Sequence, residues 1–213
     1  GKVRVKGDLR DFPFDDPKTG VFEVSARVAN GVLDFEDGWP RITGIQGEYA
    51  MNGRRLQVRA SRAATLGLQL QKVSALIPDL FSDHQHRLQL EGAAEGPSAE
   101  FLRYVASSPV NALTDRVLEG WTATGNGRLT LSFDMPIDQV EQTRLNGAYQ
   151  ILGNGIVPGL AEIALTQVNG RVEFSESSVN ACSSTANWLG GPVTFDVATR
   201  PGGTSVTGQG QVN

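Results

Sequence analysis

"GIQGEYAMNGRRLQVRAS" occupies residues 44–61. At its end Leu56, Val58 and Ala60 alternate with Gln57 and Arg59. A β-strand sends successive side chains to opposite sides, so such alternation gives one apolar and one polar face. Residues 167–184 read "QVNGRVEFSESSVNACSS". With Gly47 set over Gly170, 123 positions on, Ile45 falls on Val168, Tyr49 on Val172, Met51 on Phe174, Leu56 on Val179 and Val58 on Ala181. Leu66-Gly67 falls on Leu189-Gly190. One rhythm of glycine and apolar residues is written twice, and neither copy carries an evident chemical group.

The period of two continues outward from both copies. Phe22, Val24, Ala26 and Val28 alternate with Glu23, Ser25 and Arg27. Leu66, Leu68 and Leu70 follow with Gln69 and Gln71 between and after them, and Leu129, Leu131, Phe133, Met135 and Ile137 form the longest regular run. Asn-Gly pairs at 30–31, 52–53, 126–127, 146–147, 154–155 and 169–170 predict tight hairpins, because both residues accept positive φ. One segment, 96–121, breaks the rhythm. Phe101, Leu102 and Val105 have helical spacing, Leu113, Val117 and Leu118 follow, and Ser108-Pro109 divides the run. The expectation is a mainly β chain, an antiparallel meander with two short helices inserted. It divides into a β unit at 1–95, a helical pair at 96–120 and a second β unit at 121–213. Alternation alone fits either a meander curled into an open groove or two units closed face to face as a β-sandwich.

Composition narrows the function. The net charge is −4 with no basic block, which argues against nucleic acid and against a polybasic membrane patch. No apolar run approaches the ~18 residues of a membrane span. The single Cys182 has no internal disulfide partner and alternates away from the apolar positions, so it reads as an incidental thiol. The best metal candidate is "PDLFSDHQH", with Asp79, Asp83, His84 and His86. A zinc shell would need carboxylates to complete it, so a polar loop is the expectation and no metal or cofactor is assigned. The "GNG" at 125–127 and at 153–155 lacks the residues of a phosphate loop, and no G-x-S-x-G is present. Carboxylate pairs far apart in a chain leave no signature of this kind. Trp39, Trp121 and Trp188 read as packing residues rather than a sugar platform. The chain is expected to be non-catalytic.

A set of short motifs carries a family resemblance. "FPF" (12–14), "NGVLDF" (30–35), "WP" (39–40), "ITGIQG" (42–47), "IPDL" (77–80), "FLRYVASSPV" (101–110), "GRLTLSFDMPI" (127–137), "LTQVNGRVEF" (165–174) and "WLGGPV" (188–193) occur in order. Together they resemble the AsmA-like envelope proteins of the YhdP type, over nearly the whole chain and as a central portion of such a protein. The resemblance implies a periplasmic part of a Gram-negative protein held in the inner membrane by an anchor outside this chain. It implies a repeating β-groove whose hydrophobic gutter carries phospholipid between inner and outer membrane. Its partners would be phospholipid acyl chains, neighbouring segments of the same longer chain and other envelope proteins. No catalytic residue is implied. The groove lining is expected at Phe22, Val24, Val28, Leu56, Val58, Leu68, Leu70, Leu129, Leu131, Phe133, Met135, Val172 and Phe174. With strands about 4.7–4.9 Å apart, a ~15 Å acyl chain laid across them touches three or four, at about 0.8 kcal/mol per CH₂ removed from water. The other reading is a structural or protein-interaction module of an envelope protein with a closed β core.

Overall fold

The structure, a computed structural model, describes residues 1–14, 16, 18–82, 86–159, 163–201 and 203–211. Six strands come first: β1 (Lys2–Gly7), β2 (Gly20–Leu33), β3 (Ile42–Asn52), β4 (Arg55–Thr65), β5 (Leu68–Ile77) and β6 (Arg87–Pro97). Two helices follow, α1 (Ser98–Ala106) and α2 (Val110–Leu113). The chain then forms β7 (Thr122–Thr124), β8 (Asn126–Pro136), β9 (Arg144–Val157), β10 (Leu165–Ser175), β11 (Val179–Trp188), β12 (Gly191–Arg200) and β13 (Gly203–Gly210). All thirteen strands join one antiparallel sheet in chain order, with β6 beside β8 and the short β7 on the far end of β9.

The sequence repeat is a repeat of register. Val28 opposes Gly47, and Ile151 opposes Gly170. Thr43 opposes Ala64, and Thr166 opposes Asn187. Ala63 opposes Leu70, and Ala186 opposes Val193. Each second pair is the first moved on by 123 residues. The irregularities repeat too: Asn30 and Gly153 have φ of 56° and 68°, Gly44 and Gln167 61° and 51°, and Leu66 and Leu189 49° and 48°. The first two pairs are bulges, which sharpen the local bend and twist of a strand, and the third lies in the tight turns after β4 and β11. Beyond these the copies part: the next bulge sits at Lys72 on β5 in the first and at Ser183 on β11 in the second.

Two expectations need correction. Of the six Asn-Gly pairs, only 52–53 lies at a hairpin turn, where Asn52 opposes Arg55. The others lie inside β2, β8, β9 and β10. Their glycines are required by neighbours rather than by turns: a Cβ on Gly127 would strike the Tyr149 ring, and one on Gly147 the Phe174 ring. Leu66 likewise belongs to a turn and not to a strand. The second helix is also shorter than Leu113, Val117 and Leu118 suggest. The Thr114 hydroxyl donates to the Val110 carbonyl at 2.9 Å, and Asp115 and Arg116 take left-handed φ of 49° and 56°, which unwinds the chain into turns.

The closed sandwich does not form. One open sheet leaves 13808 Å² accessible to solvent. A compact monomer of 22.8 kDa exposes about 9,600 Å². The excess is what a sheet uncovered on much of both faces requires.

Candidate functional site

Directly opposed residues of an antiparallel pair share a face, so the register assigns every strand residue to a side. One transverse row runs Ala63, Leu70, Ala94, Leu129, Tyr149, Val172, Ala181, Val197 and Val206. Another runs Val28, Gly47, Ala60 and Val73 on the first strands, then Gly92, Leu131, Gly147, Phe174 and Val179. The thirteen expected lining residues all fall on this side. Phe22 opposes Val5, Val24 opposes Met51, Leu56 opposes Ile77, Val58 opposes Ala75, Leu68 opposes Thr65, Phe133 opposes Leu90 and Met135 opposes Leu88. The sequence reading missed Val73, Leu90, Ile151, Val168 and Phe195, which share the face. The 123-residue offset would have found Ile151 and Val168 from Val28 and Ile45. The densest packing on the face gathers Ile151, Val168 and Ala186, with Tyr149, Ile156 and Phe195 against them. Twelve strands at about 4.8 Å make the face roughly 50 Å long.

The opposite face is polar. Arg4 opposes Glu23, Arg27 opposes Glu48, Glu48 opposes Arg59 and Glu95 opposes Arg128. Arg27 and Glu48 stand 3.4 Å apart and both are exposed, so the pair adds little stability while favouring one register. A depression of ≈ 750 Å³ on this side is lined by Glu91, Ser132, Asn146, Arg171 and Glu173 among others. Cys182 is exposed, next to Ala181 and so on the polar side.

The residues considered for metal are engaged otherwise. Asp79 Oδ1 accepts from Arg54 Nε at 2.8 Å and from the Phe81 amide at 3.0 Å. His86 Nε2 lies 3.2 Å from the Leu80 carbonyl, and Nδ1 lies 3.7 Å from Asp138. Asp83 and His84 lie outside the described residues. Among the described residues, no three His, Cys, Asp or Glu side chains come together as a metal site would need. Trp39 packs edge-on to Phe35 in the β2–β3 loop, and Trp188 ends β11 opposite Gly191.

Helix α1 rests on the apolar face at its β9 end. The Phe101 ring meets Tyr149 edge-on at 5.0 Å. The Ser98 hydroxyl is 2.7 Å from the Tyr149 hydroxyl, and Asn154 Nδ2 donates to Ser98 Oγ. Burial raises the phenol pKa of Tyr149, partly offset by the Ser98 hydrogen bond, and burial raises that of Tyr104 on α1.

The "YhdP protein" family model matches residues 1–213. The chain belongs to the YhdP family. Among curated proteins it is similar to the "Intermembrane phospholipid transporter YhdP" of Escherichia coli (strain K12), 22% identical over 196 residues. The alignment covers 92% of this chain and 15% of that YhdP protein, so the chain spans a small part of its relative's length. No solved structure matches the chain. Among the described residues, no helix is long and apolar enough to cross a membrane.

Proposed function

We propose that this chain is a non-catalytic, lipid-carrying portion of an envelope protein. Its sheet curls into a groove whose apolar face guides phospholipid acyl chains through the periplasm between inner and outer membrane. Residues 1–95 and 121–213 serve as two units of one path, with 96–120 set between them. The observation that carries the reading is the long apolar face: apart from Asn154 and a few Ser and Thr residues, one side from β1 to β13 is aliphatic, aromatic or glycine, while the other is mostly charged and polar. Apolar surface of that extent marks an interaction site in soluble proteins. The transporter name of the E. coli relative supports lipid as the occupant.

The physics fits carriage better than tight capture. Burial of methylenes is non-directional and grows with area, so an acyl chain moving from one row to the next exchanges equivalent contacts. No buried charge or metal site fixes a headgroup on this face among the described residues. The edge strands continue the pattern: Val3 and Val5 on β1 and Val206 on β13 face the apolar side, exposed at 70%, 49% and 67%. Neighbouring segments of a longer chain would extend the sheet there. The test is whether phospholipid bound to the protein is lost when a charge is placed on the apolar face and kept when it is placed on the polar face.

A further inference from the structure

Helix α1 occupies part of the face assigned above to acyl chains. Phe101 covers Tyr149, and Tyr149 stands in the row between Leu129 and Val172. The seat is held by polar groups. Ser98 links the Tyr149 hydroxyl to Asn154, and Glu100 Oε2 accepts from the Gly67 amide at 3.2 Å. Asn154 is 1% exposed, yet its Oδ1 has no hydrogen-bond partner.

The repeat supplies an internal comparison. Tyr149 and Asn154 correspond, 123 residues earlier, to Ala26 and Gly31 on β2. Helix α1 packs on β6 and β7 and reaches β9 through Ser98 and Phe101. The hydrogen-bonding pair thus stands where the helix sits, and the small pair stands at the matching place on β2.

We propose that α1 is a lid on the lipid path, latched by the Ser98–Tyr149–Asn154 hydrogen bonds, and that α1 and an acyl chain compete for the surface around Leu129, Tyr149 and Ile151. The inference rests on the lipid reading above. One feature makes the lid reversible. Opening into lipid replaces the Phe101 contact on Tyr149 by a methylene contact, so apolar burial is exchanged rather than lost. A ligand that binds only the open arrangement shifts the balance toward it.

The test uses Ser98→Ala with Tyr149→Phe in the full-length protein, which removes the latch hydroxyls and keeps every ring. Amide hydrogen exchange of 98–106 is read beside exchange of β10. Phospholipid uptake from vesicles of phosphatidylethanolamine and phosphatidylglycerol is read by native mass spectrometry. The expected result is exchange about tenfold faster in α1, the scale of a lost hydrogen bond. Protection of β10 stays unchanged, and apparent lipid affinity rises by about the same tenfold, a larger open fraction giving a proportionally higher apparent affinity. Unchanged α1 exchange overturns the latch, and faster exchange with unchanged uptake overturns the competition. Should β10 lose protection, Phe101→Ala decides instead: it leaves the three hydroxyl and amide groups in place and uncovers Tyr149, so uptake must rise, and unchanged uptake overturns the lid. Failure of the lipid reading looks different, because parent and variants then take up no phospholipid at all.

Discussion

Gly47 and Gly170 are equivalent in the repeat, yet alanine should cost far more at the first. A Cβ on Gly47 would overlap the Arg59 carbonyl oxygen and stand 2.9 Å from the Ala60 Cα. Both obstacles are backbone of the paired strand β4. Ordinary contact begins near 3.4 Å, so β3 and β4 must part by roughly an ångström, straining the ladder beside the bulge. Overpacking of this kind costs roughly 1–3 kcal/mol, and an immovable backbone puts the expectation at about 3. At Gly170 the obstacles are the Ser184 Oγ and, at 3.0 Å, its Cβ, both side-chain atoms. A rotated hydroxyl relieves most of the clash, and the lower entropy of unfolded alanine offsets about 0.4–1 kcal/mol, leaving a net cost of about 0–1. Urea unfolding at an m of about 3 kcal/mol/M then shows a midpoint lower by about 1 M for Gly47→Ala and by no more than about 0.3 M for Gly170→Ala. Ser184→Gly should restore Gly170→Ala, and no single side-chain truncation should restore Gly47→Ala. Equal losses at the two glycines, or a larger one at Gly170, would refute the assigned register.

Two further outcomes follow from local chemistry. Tyr104 and Tyr149 have phenol pKa values raised by burial, so folding favours their neutral forms. Their contribution is whole below the unfolded value of about 10 and is lost as pH rises through the folded values, so urea midpoints should fall above about pH 10, and less steeply with Tyr104→Phe and Tyr149→Phe together. Leu189 takes a left-handed φ of 48° with 62% of its surface exposed. Leu189→Asn should raise stability by about 0.5 kcal/mol in the same assay, since asparagine tolerates that conformation better and little burial is lost.

The alternation made strand direction and facing legible, because a period of two has only one structural meaning once one face is apolar. All thirteen residues read as one face occupy one face for that reason. The repeat was legible as letters, but its depth was not: the matching bulges at Asn30 and Gly153 or Gly44 and Gln167 use different residue types for one backbone conformation. Asn-Gly misled at five positions because glycine serves two needs that look alike in sequence, positive φ and a missing Cβ. Gly127 and Gly147 supply the second, under the rings of Tyr149 and Phe174. The Ser98–Tyr149–Asn154 contact was illegible, since its members are 51 and 56 residues apart and only the seating of α1 joins them. Asp79 looked free for a metal because its partner Arg54 lies 25 residues away, across the start of β4.

The lipid path itself is tested most directly at Leu131. On the apolar face Leu131 is half-buried between Gly92 and Gly147 in its row, and its neighbour Ser132 points the other way beside Asn146. A glutamate in a dry core would leave an unpaired buried charge and cost several kcal/mol, enough to unfold a domain stable by ~5–15. On an open face the carboxylate keeps water, so the fold survives while methylene contact is lost. The measurement is native mass spectrometry of phospholipid bound to parent, Leu131→Glu and Ser132→Glu, each checked for folding by urea midpoint. Leu131→Glu is expected to stay folded and lose most of its lipid while Ser132→Glu keeps it. A folded Leu131→Glu that binds lipid as the parent does, or an unfolded one, would contradict the lipid path.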